Sequence, residues 1–230
     1  MISVDLFWII LISSYTLIFL TFFIVTFVKT KINKELNFLQ FFPFEFLNDR
    51  QRITPLLKVL QYAYVIPCVL PIVLIFLNYN YFSELTYFEA ILGSLMLLIS
   101  LLNITISYIP PKNTRPHIII SVIHISVSFL FSALVAFNGF YIFFLYRKIA
   151  EFSVNHLVAG IIGVIFTILM ILIEFNPKLV GWYKLNTIEE NDGTSKLERP
   201  KIFPLAFSEW ASIIISFLSG LLFLVELIKI

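Results

Sequence analysis

Hydrophobic residues fall in six long, nearly unbroken runs along the chain, and polar residues are concentrated between these runs. The runs are about 20 residues or more, which is long enough for a helix to cross a hydrocarbon core roughly 30 Å thick. The expected spans are residues 7–28, 59–77, 90–109, 118–146, 156–175 and 211–229. We expect α-helices because lipid offers no hydrogen-bond partners to backbone N–H and C=O groups. The pattern therefore predicts one all-α, polytopic transmembrane helix bundle of about six spans over residues 1–230.

Composition supports a lipid environment. Hydrophobic residues make up 60% of the chain and charged residues 13%, and Phe alone occurs 26 times. Soluble domains carry roughly 25% charged residues because their surface faces water. The formal net charge of +2 is too small to indicate a nucleic-acid partner. We expect an integral, multi-pass membrane protein whose first partners are membrane lipids, and the sequence does not indicate which membrane holds it.

Lys and Arg are distributed unevenly between the two sides of the predicted bundle. Thirteen of them fall in the loops after the first, third and fifth spans, whereas three fall on the opposite side. Basic residues are enriched in cytoplasmic loops. We therefore expect both termini outside or in a lumen, and the two long loops, 29–58 and 176–210, in the cytoplasm. The first span lacks a basic leading segment and a small-residue cleavage site, so we expect it to remain in the membrane.

The candidate functional residues are small polar side chains at helical spacing within the spans. They are Ser100, Asn103 and Ser107 on the third span, Ser121, His124, Ser128 and Ser132 on the fourth, and Glu209, Ser212 and Ser216 along the face of the sixth. Such residues let helices approach closely and hydrogen-bond across their interface. The alternative is a partly polar pocket surrounded by the third to sixth spans. No Lys, Arg, Asp or Glu lies near the middle of any predicted span, which argues against a charged pathway within one chain.

Metal and cofactor sites are not expected. His117 and His124 lie seven residues apart near one end of the fourth span, whereas His156 opens the fifth span on the opposite side. A haem needs two facing histidines at one depth, and zinc needs three or four converging ligands. The single cysteine, Cys68, excludes an internal disulfide. Motifs of metalloproteases, serine hydrolases and nucleotide-binding proteins are absent from the sequence.

The sequence Phe-Pro-x-x-Phe occurs at 42–46 and again at 203–207, each time in a predicted cytoplasmic loop shortly before a span. One interpretation is a pair of interfacial or re-entrant segments around a pseudo-twofold axis. The other is that aromatic and proline residues mark where the chain enters the headgroup region. In the first of these loops, Glu45 and Asp49 lie near Arg50 and Arg52, a cluster that can hold a phosphate headgroup or form a solvated salt-bridged face.

Three segments resemble the Frag1/DRAM/Sfk1 group of six-span membrane proteins. They are His156-Leu-Val-Ala-Gly-Ile-Ile-Gly-Val-Ile-Phe-Thr, which opens a span, the Glu209-Trp210 pair at the start of the last span, and the Phe- and Pro-rich segment 41–46. The resemblance implies a role in lipid-anchor remodelling or in lysosomal and autophagic membranes. The chain departs from the group in having one clear span after the histidine, where the group has two, and a basic first loop, where the group's is lumenal.

Three functional hypotheses follow. The first is a non-catalytic membrane protein, either a small carrier or an accessory subunit, that binds a lipid, an apolar solute or another membrane protein. The second is a transporter or channel module whose pore forms between copies of the chain. The third is an intramembrane lipid-modifying enzyme that uses His124, the Glu45 and Asp49 pair, or Glu209.

Overall fold

A computed structural model of the chain describes residues 4–32, 37–48, 53–77, 86–111, 114–146, 150–176, 186–189 and 195–227. Six helical segments in it are long and apolar enough to cross a membrane, which confirms the all-α bundle of about six spans. The helices are α1 (Val4–Ile32), α2 (Pro43–Asn48), α3 (Thr54–Ala63), α4 (Val65–Leu77), α5 (Thr86–Ile106), α6 (Thr114–Tyr146), α7 (Ala150–Glu174) and α8 (Pro204–Glu226). The last loop carries a two-stranded antiparallel hairpin of β1 (Asn186–Glu189) and β2 (Ser195–Glu198).

The second span consists of two helices, α3 and α4, which meet at Tyr64. Proline explains the break, because the ring of Pro67 clashes with the carbonyl four residues earlier, at the last residue of α3. The span begins at Thr54, earlier than the hydrophobic pattern indicates, and the last span likewise begins at Pro204. In both cases a proline occupies the first helical turn, where its missing N–H costs no hydrogen bond.

The last helix, α8, is the central element of the bundle. In its most apolar 18-residue stretch, 67% of the residues are buried inside the protein. The corresponding share in the other five spans of the described chain is no more than 39%. One side of α8 contacts α6, and another contacts α1 through a stack in which Phe19 and Phe217 lie parallel with ring centroids 3.5 Å apart. The polar residues of α8 therefore lie inside protein and not against lipid.

Helices α6 and α7 approach each other closely at glycines. A Cβ atom placed on Gly139 would lie 2.6 Å from the backbone nitrogen of Gly160, and one on Gly163 would lie 2.7 Å from Cα of Ala136. Both obstacles are backbone atoms, so a side chain at either position must push the helices apart. Small residues that permit such contacts are the usual basis of helix association in membranes.

We predict that Gly139→Ala lowers the free energy of unfolding by about 1–3 kcal/mol, the usual cost of overpacking. The measurement is a denaturant titration in mixed micelles followed by circular dichroism. Val122→Ala serves as the control, because Val122 lies on the exposed face of the same helix. Equal stability of Gly139→Ala and the wild type would show that α6 and α7 do not pack this closely.

Candidate functional site

The predicted polar residues lie in two separate places in the structure. Those of α6 and α8 face each other in what we call the interhelical seam, formed by Ser121, His124, Ser128, Ser132, Glu209, Ser212, Ser216 and Ser219. Asn103 and Ser107 of α5 line a different space, which we call the lateral recess. Ser100 belongs to neither place: it lies beside Cys68, and its hydroxyl donates to the carbonyl of Leu97 at 2.7 Å.

The interhelical seam is a series of hydrogen bonds between two helices that run in the same direction. Ser121 Oγ donates to Glu209 Oε1 at 2.6 Å, Ser212 Oγ lies 3.1 Å from His124 Nδ1, and Ser132 and Ser219 share a hydrogen bond of 2.7 Å. The paired residues differ by 87 or 88 in number, which is possible only for parallel helices in register. Ser128 Oγ and His124 Nε2 are buried without a hydrogen-bond partner in the described part of the chain.

One end of the seam is organised around Glu209. This residue and His117 are fully buried, and His117 Nε2 lies 3.0 Å from Glu209 Oε1. The other ring nitrogen of His117, Nδ1, lies 2.8 Å from the carbonyl oxygen of Ile109, just after α5. The pair therefore joins α6, α8 and the end of α5. At the far end, Asn138 Nδ2 donates to Glu226 Oε2 at 2.8 Å.

We predict that Glu209→Ala lowers the free energy of unfolding by about 3 kcal/mol, because it leaves the buried Nε2 of His117 without its partner, whereas Ser121 keeps its hydrogen bond to the carbonyl of His117. Glu209→Gln keeps an acceptor and should lose less. Thermal unfolding in detergent is the measurement, and Glu174→Ala is the control, because Glu174 binds Ser126 only at the partly buried edge of α7. Equal losses for Glu209→Ala and Glu174→Ala would contradict this role.

The lateral recess opens between α1, α2, α3 and α5. Its cavity volume is about 30 Å³, and its empty space, counting the part that is open to its surroundings, is about 410 Å³. Its lining is mainly apolar and consists of Ile18, Phe19, Phe22, Pro43, Leu60, Gln61, Tyr64, Asn103, Ser107 and Ile213. The recess therefore combines an apolar wall with a small polar group formed by α3 and α5.

Gln61 organises the polar side of the recess. Its side-chain nitrogen donates to the carbonyl of Asn103 at 3.0 Å and to Ser107 Oγ at 2.6 Å. Two buried oxygens, Gln61 Oε1 and Asn103 Oδ1, have no hydrogen-bond partner among the residues that the structure describes. Our sequence analysis missed Gln61, although it is the only side-chain amide in the predicted second span.

The segment 37–48, which we call the anchored segment, contributes Pro43 to the lining of the recess. Donors from outside the segment bind four of its carbonyl groups. Phe203 N donates to Leu39 O at 2.7 Å, Arg199 Nη1 to Gln40 O at 3.0 Å, Trp210 Nε1 to Phe41 O at 2.9 Å, and Lys29 Nζ to Phe46 O. Lys29 is fully buried and also donates to Thr54 Oγ1 at 2.9 Å. The anchored segment is thus held by α1, α8 and the loop before α8.

The two Phe-Pro motifs of the sequence meet in the structure. The rings of Phe42 and Phe203 pack edge to face with centroids 5.5 Å apart, and the following prolines open α2 and α8. This contact joins the two long loops at one end of the bundle. The pseudo-twofold relationship between them stays a prediction.

Beside these rings lies an open space that we call the surface cleft, lined by Phe44, Glu45, Pro110, Pro111 and Arg199. Its empty volume is about 720 Å³, again counting its open side. Arg199 and Glu45 form a two-point ion pair with distances of 2.7 and 2.8 Å, and their side chains are 30% and 22% exposed. Of the acidic and basic cluster expected around Glu45, residues 49–52 lie outside the described part of the chain.

Comparisons with known proteins add no relative to these observations. No family model matches the chain, and no curated protein or solved structure is significantly similar to it. Among the described residues, no group of three or more His, Cys, Asp and Glu side chains is arranged to hold a metal ion. The fold itself defines the class: this is a multi-pass integral membrane protein, with six helical spans in the described ranges of the chain.

Proposed function

We propose that this protein is a non-catalytic membrane protein, a small carrier or an accessory subunit, that binds a lipid in the lateral recess. The observation that carries the proposal is a mainly apolar recess whose lining includes Gln61 and Asn103, each with a buried side-chain oxygen that has no hydrogen-bond partner among the described residues. A buried acceptor without a donor costs about 1–3 kcal/mol. A ligand that supplies a donor there gains this free energy on binding.

The chemistry of the recess selects the ligand class. Its walls are built from Ile, Leu and Phe side chains, which favour a hydrocarbon chain. The two amide oxygens accept hydrogen bonds and donate none, so the ligand must carry a hydroxyl or an N–H group. A lipid with a free hydroxyl or an amide N–H in its backbone meets both requirements.

The geometry around the acidic and histidine candidates supports a non-catalytic role. Glu209 and His124 are both fully buried within the interhelical seam, where their described partners are other side chains of α6 and α8. A catalytic group must come within hydrogen-bond reach of its substrate. The buried seam therefore favours helix packing as the role of these residues, and the lateral recess is the better binding site.

We predict that Asn103→Leu reduces lipid binding roughly tenfold, because it removes one acceptor and fills part of the recess. The protein is purified in a mild detergent, and bound lipid is quantified by native mass spectrometry. Ser94→Leu, on the exposed face of the same helix, is the matched control and should retain lipid like the wild type.

Two results would overturn the proposal. One is a wild-type protein that carries no bound lipid above the level of an unrelated membrane protein of similar size. The other is an equal amount of bound lipid per protein in the wild type, Asn103→Leu and Ser94→Leu. That result would place any bound lipid outside the recess.

A further inference from the structure

The guanidinium group of Arg199 has unused hydrogen-bonding capacity. Arginine carries five N–H donors. In this structure Nη1 donates to Gln40 O and to Glu45 Oε2, and Nη2 donates to Glu45 Oε1. The Nε–H and the second Nη2–H remain without a partner in the described ranges, and these two donors share one edge of the planar group. An edge of this kind binds two oxygens of a single phosphate or carboxylate group.

The free edge belongs to a side chain that is held in place. Glu45 fixes the end of the guanidinium, and the aromatic rings of Phe41, Phe42 and Phe203 lie 4.8–5.9 Å from its central carbon. Arginine stacks well on such rings, and little side-chain freedom remains to be lost on binding. Arg199 lines the surface cleft and its side chain is 30% exposed, so part of the side chain is accessible from the cleft.

The surface cleft adjoins the lateral recess. Pro43 lines the recess, and the next two residues, Phe44 and Glu45, line the cleft. On the opposite wall, Ser107 lines the recess, and Pro110 lines the cleft three residues later. The two spaces therefore lie on either side of the same contact between α2 and the end of α5, where Asn48 Nδ2 donates to the carbonyl of Ser107 at 2.7 Å.

We propose that the surface cleft binds the phosphate of a phospholipid on the Nε and Nη2 edge of Arg199, while the chain of the same lipid occupies the lateral recess. This inference rests on the proposed function and specifies its ligand class. The lipid is a phosphodiester with a hydroxyl or amide donor in its backbone. Glycerophospholipids with a free hydroxyl and sphingolipids with a phosphodiester headgroup both belong to this class.

The apolar recess distinguishes a lipid phosphodiester from free phosphate. Glu45 already neutralises part of the charge of Arg199. A phosphodiester carries a single negative charge, whereas a free phosphate group carries about −1.5 to −2 at pH 7. A more highly charged anion is attracted more strongly by Arg199 and repelled more strongly by Glu45, whereas only the lipid gains from placing a chain in the apolar recess. The site therefore favours the lipid.

The test compares two fluorescent lipids in nanodiscs of neutral lipid, a monoacyl phosphatidylglycerol and a monoacylglycerol with the same chain. We expect the wild type to bind the phospholipid about tenfold more tightly, the gain typical of hydrogen bonds to a charged group. Arg199→Lys keeps the positive charge but removes the two-donor edge, so this preference should disappear. Arg115→Lys makes the same change at an exposed arginine and should leave the preference intact.

The neutral lipid separates failure of the headgroup site from failure of the recess. Lysine at position 199 can still donate to Gln40 O and so hold the anchored segment, and unchanged monoacylglycerol binding by Arg199→Lys shows that the variant is folded and that its recess is intact. Equal wild-type affinity for the two lipids would overturn the phosphate site and leave lipid binding in the recess standing. Absence of binding for both lipids would overturn the proposed function as well. Displacement of the phospholipid by millimolar inorganic phosphate would identify a site for free phosphate and would also overturn the inference.

Discussion

The end of the bundle where the two long loops meet depends on hydrogen bonds to the carbonyl groups of the anchored segment. Residues 37–42 are not helical, and although the N–H groups of residues 39–42 bond within the segment, the carbonyl groups of Leu39, Gln40 and Phe41 accept hydrogen bonds from outside it. In a membrane protein, irregular backbone is tolerated where protein groups satisfy it. The side chains of Lys29, Arg199 and Trp210 and the backbone N–H of Phe203 supply the donors. These bonds place α2 against α3 and α5 and so create one wall of the lateral recess and one wall of the surface cleft.

The central helix α8 connects this end of the bundle to its interior. Trp210 holds the anchored segment, whereas the preceding residue, Glu209, binds His117 and Ser121 of α6. Neighbouring positions on a helix point in different directions, so one turn of α8 can serve both contacts. Glu209 thus fixes α8 to α6, whereas Trp210 orders the anchored segment beside the candidate lipid site.

The hydrophobic pattern predicts the six spans because span length and composition are local properties of the chain. Helical spacing also places the polar residues of α5, α6 and α8 on common faces. It does not say which faces meet, so the contacts of His117 with Glu209 and of Gln61 with Asn103 were not predictable. The ion pair between Glu45 and Arg199 joins residues 154 positions apart. From the sequence alone, Glu45 was grouped with its neighbours Asp49, Arg50 and Arg52. The orientation of the bundle in the membrane stays a prediction.

The most direct test of the account is to map where a bound lipid lies. A monoacyl phospholipid with a diazirine in the middle of its chain is irradiated with the wild-type protein in nanodiscs, and the labelled residues are identified by mass spectrometry. The account predicts that adducts concentrate on the recess-lining residues Ile18, Phe22 and Leu60. Adducts spread evenly over the lipid-exposed faces of α6 and α7, with none concentrated in the recess, would contradict a specific lipid site between α1, α3 and α5.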